Sequence, residues 1–183
     1  MNWPIRQATY HLAKGNIIAY PTEAIYGMGC DPQNLHAVRR LLQLKQRPWQ
    51  KGLILIAANY DQLQPYLQPL SDEIKTKVFA TWPGPVTWLL PARRRVSPLL
   101  RGQSHKLAVR ITAHPLAKAL CHHWRGAIVS TSANITQQQP AKTASQVRHT
   151  FGLDIDYIVN GPLGDRCRPS EIRDGVTDKV LRL

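Results

Sequence analysis

Acidic residues are scarce in this chain of 183 residues: 11 Asp and Glu stand against 24 Lys and Arg, for a net charge of +13. Cysteine is scarcer still. Cys30, Cys121 and Cys167 are odd in number and far apart, with no C-x-x-C. That spacing excludes a disulfide framework and a zinc site, and predicts reduced thiols. Cys121-His122-His123 is no metal site either, because adjacent residues on a helix point in different directions. Long hydrophobic runs are missing: Leu53–Ala58 is far too short to cross a bilayer. The first residues lack a basic segment followed by an apolar stretch, so no signal peptide is expected. These absences together predict a cytoplasmic protein with no membrane partner and no protein-held metal.

Familiar catalytic signatures are absent as well. There is no Walker A loop, G-x-G-x-x-G, G-x-S-x-G or H-E-x-x-H, and no pair of carboxylates for hydrolysis. Chemistry here must rest on positive charge and positioning, as phosphoryl and nucleotidyl transfer usually does. The charge distribution agrees. Between Glu73 and Asp154 no acid occurs, while bases recur from Lys75 to Arg148. A field of that sign gathers anionic partners, with nucleotides and RNA foremost.

The length suits one domain spanning 1–183, able to bury roughly 70% of its unfolded surface. Strand and helix signals alternate, which predicts an α/β layered fold. Strands are expected at Asn16–Tyr20, Leu53–Ala58, Val86–Leu90, Leu107–Ile111, Ala127–Val129, Tyr157–Val159 and Val180–Leu183. Helices are expected at Asn34–Gln46, Ser71–Thr81, His114–Trp124 and Thr143–Phe151. Ser71 reads as a cap, and Pro115 occupies a first helical position that needs no N–H. Ala92–Ser104, with Arg93-Arg94-Arg95, reads either as a mobile basic loop or as an ordinary hairpin connection.

Four segments carry side chains fit for chemistry. Tyr20–Gly29 follows a strand; Thr22 and Glu23 can bind a polar molecule, and Gly27 and Gly29 permit close backbone approach. Lys45-Gln46-Arg47, with Lys51 beyond, ends a helix and offers a guanidinium and two ammonium groups to a triphosphate. Such cations also neutralise a helix dipole. Arg110 emerges from a strand, suited to a carboxylate. Ser130–Asn134 reads as a turn dense in polar side chains, for phosphate or ribose, or alternatively as a helix cap.

The ordered set YPTEAIYGMGCD, LKQRPWQKGLILI, WPGPVTWLLPA, LAVRITAHPLAKAL, STSANI and RPSEIRD resembles the YrdC/TsaC family of threonylcarbamoyl-AMP synthases. The resemblance runs from about Asn16 to Asp174 and is to the short, single-domain form. It implies an open, twisted mixed β-sheet flanked by helices, with a concave basic face. It implies a nucleotidyltransferase that joins L-threonine, bicarbonate or CO2, and ATP with its Mg2+. Partner proteins then complete the t6A modification of tRNA. Carried over by the resemblance, Lys45 and Arg47 are catalytic; Lys45, Arg47, Lys51, Ser132 and Asn134 hold ATP; and Thr22, Arg110 and Ser170 hold threonine. The chain departs from the family after Asn134, where Ile135–Pro140 lacks the usual glycine turn. A non-catalytic RNA-binding protein is the rival reading, and weak, backbone-directed tRNA binding is compatible with both. A carbamoyl-adenylate former of the hydrogenase-maturation type is a second rival, but such proteins carry zinc-finger cysteines that this chain lacks.

Overall fold

The computed structural model describes residues 3–166 and 170–182. Cys167, Arg168 and Pro169 lie outside the described residues, so the thiol expectation for Cys167 and most of the Arg168-Pro169-Ser170 turn do too. The strands are β1 (Ile18–Pro21), β2 (Tyr26–Gly29), β3 (Ile54–Ala57), β4 (Val86–Pro91) and β5 (Lys106–Ile111), then β6 (Ile128–Ser132), β7 (Tyr157–Ile158), β8 (Glu171–Asp174) and β9 (Val180–Arg182). The helices are α1 (Trp3–Ala13), α2 (Leu35–Leu44), α3 (Asp72–Phe79), α4 (Pro98–Arg101), α5 (Pro115–Trp124) and α6 (Ala144–Phe151). The strands form one nine-stranded sheet in the order β7-β1-β2-β6-β3-β5-β4-β8-β9. It is mixed: β1 pairs parallel with β7, β3 with β5 and β4 with β8, and the remaining pairs are antiparallel. Among the described residues no helix is long and apolar enough to cross a membrane.

Strand alternation decides where a site can form. On one face Leu55, Ala57, Val109 and Val129 pack beneath α2 and α6 in the larger core, with Val38, Leu41 and Val147. On the other face Ile18, Tyr20, Ile56 and Ile128 lie under α1 and α5, against Ile5, Ala8, Leu12 and Leu120. That second face changes character along each strand. β6 runs from Ile128 to Ser130 and Ser132, and β1 runs from Ile18 and Tyr20 to Thr22 just beyond its end. The apolar end is covered by helices, and the polar end is left open.

Caps follow the sequence closely. Asn34, Ser71, His114 and Thr143 each accept a backbone N–H at a helix start. Elsewhere the structure corrects the reading. α1, β2 and β8 were not foreseen: β2 is Tyr-Gly-Met-Gly, a poor strand former held by burial between neighbours. β6 extends to Ser132, so the supposed polar turn is mostly strand, with Ser130 and Ser132 on its open face. For Ala92–Ser104 the second of the two readings holds: it is a packed connection between the paired strands β4 and β5. Val96 and Leu100 are buried, α4 forms within it, and the Arg93 and Arg95 side chains donate to the Gln64 and Pro65 carbonyls.

Gly29 serves packing and not ligand approach. A Cβ there would stand 1.8 Å from the Val129 carbonyl oxygen. Backbone cannot yield as a side-chain tip can, so Gly29→Ala should cost about 3 kcal/mol or more. A thermal melt should fall by about 10 °C; a drop of a degree or two would refute this packing argument.

Candidate active site

The open end of the sheet holds a cavity of about 290 Å³. Its walls include Thr22, Glu23, Arg47, Arg110, Ser130, Thr131, Ser132, Arg166, Ser170 and Arg182. Of the residues singled out from sequence, Thr22, Glu23, Gly27, Arg47, Arg110, Ser132 and Ser170 meet here. Lys45, Asn134 and Lys51 do not line the cavity.

The Lys-Gln-Arg segment owes its shape to the end of α2. The Gln46 N–H donates to the Gln43 carbonyl at 2.9 Å, and the Arg47 N–H donates to Leu42 at 2.9 Å. This is a Schellman closure, with Gln46 in the left-handed position (φ +49°) that usually falls to glycine. The chain reverses there, so Lys45 and Arg47 diverge. Arg47 faces the cavity and donates from Nε to the Gly52 carbonyl at 3.0 Å. Arg47 is partly buried, and that desolvation lowers its pKa.

Lys45 turns inward and is 2% exposed. Its Nζ donates to the Ser132 carbonyl, to the Asn134 carbonyl at 2.7 Å and to Asn134 Oδ1 at 3.4 Å. The Lys45 carbonyl in turn accepts from the Thr136 N–H at 3.0 Å and from its hydroxyl at 2.8 Å. Lys45 therefore clamps the end of β6 from below. Burial, then the nearby Arg47, pushes its ammonium down to about 7. Asn134 Nδ2 donates to the carbonyls of Ile135 and Gln138, both at 2.8 Å, and so shapes the following loop. Gln137 takes φ +72° there, the conformation a glycine would supply, so the missing glycine does not prevent the turn.

The opposite wall is built on Thr22, Glu23 and Arg110. The Thr22 hydroxyl donates to the Ile25 carbonyl at 2.7 Å, which leaves it free only to accept. Arg110 Nη2 lies 3.3 Å from Glu23 Oε2, and the Thr112 hydroxyl donates to Glu23 Oε1 at 2.7 Å. Burial alone would raise the Glu23 carboxyl, but Arg110 and Thr112 outweigh it and hold the pKa below its usual value. Ser170 Oγ accepts from Thr87 at 3.1 Å and from Arg182 Nη2 at 3.2 Å. Burial lowers the pKa of Arg182, and Arg110 and Arg47 lower it further. Arg47, Arg110, Arg166 and Arg182 thus stand around one cavity, a strong field for anions. Sequence reading missed Thr112, Arg166 and Arg182. No spacing marks them; only the sheet register brings β9 beside Ser170.

The comparisons with known proteins identify the family and its fold. Residues 11–183 match the family model Sua5_yciO_yrdC, described as "Telomere recombination". The chain belongs to the Sua5/YciO/YrdC family. A threonylcarbamoyl-AMP synthase of Nitrosococcus oceani is 54% identical over 181 residues, 99% of this chain and 98% of that one. Another, from Photobacterium profundum, is 52% identical over 180 residues, 97% of each chain. Among solved structures, P. abyssi Sua5 complexed with L-threonine aligns with a TM-score of 0.88 at 31% identity. It covers 94% of this family member, which spans only 51% of that longer chain. E. coli YciO aligns with a TM-score of 0.82 at 24% identity and speaks for the fold alone.

Within this family member, among the described residues, no three His, Cys, Asp or Glu side chains gather to hold a metal ion. Glu23 is the one carboxylate on the cavity wall among its described lining residues, and Arg110 already engages it.

Proposed function

We propose that this chain is an L-threonylcarbamoyladenylate synthase, a nucleotidyltransferase that forms threonylcarbamoyl-AMP and pyrophosphate from L-threonine, bicarbonate or CO2, and ATP. One observation carries the reading: a single cavity gathers Arg47, Arg110, Arg166 and Arg182 around a polar strand end, against one acid, Glu23, among its described lining residues. The reaction brings two anions together. Threonine's amine takes up CO2 as an N-carboxylate, which attacks the α-phosphorus and expels pyrophosphate. Cations offset the repulsion, and holding both partners in line can supply roughly 7–11 kcal/mol of the barrier.

Arg47 and the Ser132 hydroxyl face the cavity from one side and suit the triphosphate. Arg110, Thr22 and Ser170 face it from the other and suit threonine. Lys45 and Asn134 act from beneath, by fixing the backbone that carries Ser132. Mg2+ fits as a companion of the triphosphate: it keeps most of its waters and needs few protein carboxylates, and the cavity offers few. When bound it would neutralise phosphate charge. The product suits transfer to tRNA by partner proteins in the cytoplasm, and the basic surface favours weak RNA contact.

The test is incubation with ATP, threonine, bicarbonate and Mg2+. Threonine-dependent pyrophosphate, with the adenylate detected by mass, is the expected result. Pyrophosphate release indifferent to threonine would overturn the reading.

A further inference from the structure

Residues 161–166 run from the end of β7 toward Ser170 and bring Arg166, itself exposed, to the cavity wall. They form no helix or strand. Their course therefore depends on what their backbone groups can bond to. Several ties run to β2 and to the residues just before it. The Gly164 N–H donates to the Thr22 carbonyl at 3.0 Å, and the Arg166 N–H donates to the Glu23 carbonyl at 3.1 Å. The Tyr26 hydroxyl donates to the Gly161 carbonyl at 3.0 Å. A further tie comes from α5, where His114 Nε2 lies 3.2 Å from the Pro162 carbonyl.

His114 is buried and caps α5, its Nδ1 accepting the Ala117 N–H at 3.4 Å. The Pro162 carbonyl can only accept, so Nε2 carries the ring proton and is the donor. Both neighbours thus demand the same neutral tautomer. Burial, opposed by the nearby Glu23 carboxylate, lowers the pKa of the ring and keeps it in that form. The backbone of the same residue reaches the other side of the segment. The His114 N–H donates to the Thr112 hydroxyl at 3.2 Å, and that hydroxyl donates to Glu23 Oε1 at 2.7 Å. Glu23 in turn holds Arg166 through its carbonyl. The contacts close a ring through Glu23, Thr112, His114, Pro162 and Arg166.

A helix cap needs one acceptor, which asparagine or serine supplies with a shorter side chain. The second nitrogen of His114 takes no part in capping. Its one hydrogen bond falls on the segment that carries Arg166. We propose that His114 is a positioning residue: by holding the Pro162 carbonyl it sets Arg166 on the cavity wall, where the guanidinium binds an anionic oxygen of the substrates, carboxylate or phosphate. The inference rests on the synthase reading above.

The test exploits the two halves of the imidazole. Asparagine places an acceptor near Nδ1 and keeps the cap, but it cannot reach Pro162. Glutamine places a donor near Nε2 and gives up the cap. His114→Asn should melt within about 4 °C of the wild type, yet lower kcat/KM for adenylate formation by about 3–10-fold. His114→Gln should do the reverse, melting lower while keeping kcat/KM within about twofold of the wild type. Arg166→Ala should lose about tenfold or more, and adding His114→Asn to it should cost less than about twofold further, because the two act as one unit. The separate KM values for threonine and for ATP tell whether Arg166 meets a carboxylate or a phosphate. Losses that follow melting temperature across the Asn and Gln variants, or that multiply in the double variant, overturn the proposal and leave the synthase reading intact. Arg166 is exposed, so Arg166→Ala remains informative whatever the His114 variants do to folding. An unchanged kcat/KM in it would sink the proposal by itself. A wild type that forms no adenylate overturns both readings.

Discussion

Replacing Lys45 with methionine is expected to lower the melting temperature by about 2–12 °C and to abolish most turnover, although the side chain lies outside the cavity. Methionine fills similar space and has no donor. The Asn134 carbonyl would lose the Nζ that now satisfies it, while the Ser132 carbonyl would lose its Nζ contact and keep the Asn134 N–H at 3.0 Å. Each buried carbonyl left unpaired costs about 1–3 kcal/mol, and 1 kcal/mol moves the midpoint by about 2–4 °C in a chain of this size. Ser132, on the cavity wall, would lose its anchor, so turnover should suffer more than stability. Variant melting within two degrees of the wild type would remove Lys45 from this role.

The same residue gives a pH signature. Its ammonium has an ordinary value of 10.5 and is pushed to about 7 in the fold by burial and Arg47. Between those values the unfolded chain binds the proton that the folded chain has shed. Stability at this residue therefore rises with pH from about 7 upward, and the penalty for burying the charge is full below it. The neutral amine still offers hydrogens to both nearer carbonyls. Melts at pH 6.5 and pH 9 should show the gap between wild type and Lys45→Met widening with pH. A constant gap would mean that Lys45 stays charged throughout.

Lys45 also marks how far the sequence could be read. Its place in a Lys-Gln-Arg segment at the end of a helix was legible. Its direction was not, because that depends on Gln46 adopting a left-handed conformation that nothing local demands. Helices with strong caps, such as the one begun by Ser71, were read to within a residue or two. β2 was unreadable, since its glycines signal a loop and only the approach of Val129 makes Gly29 a strand residue. Arg110 was visible as a charge on an apolar strand. Its partners were not: Glu23 and Thr112 are far apart in sequence, and the sheet register that joins them is a tertiary fact. Arg182 is the extreme case, a base near the end of the described chain with no motif around it.

Arg110→Ala should reduce kcat/KM for threonine by about 10²–10³-fold, with the affinity for ATP changed by less than about threefold. A charged hydrogen-bonding partner removed from a desolvated site is worth about 2–5 kcal/mol, which is a loss of that order. On the function proposed above, Arg110 is the guanidinium that takes the threonine carboxylate, whereas the triphosphate side of the cavity keeps Arg47. The complication is Glu23. Without Arg110 its buried carboxylate loses its cation, so the variant should also melt several degrees lower. A double variant separates the effects. In Arg110→Ala with Glu23→Gln no charge is stranded, and stability should return toward that of the wild type. Threonine use should not return, because the guanidinium proposed for its carboxylate is still missing. If turnover recovered along with stability, Arg110 would be a structural counter-ion to Glu23, and the carboxylate of the substrate would have to be held elsewhere in the cavity, with Arg182 the nearest guanidinium able to take it.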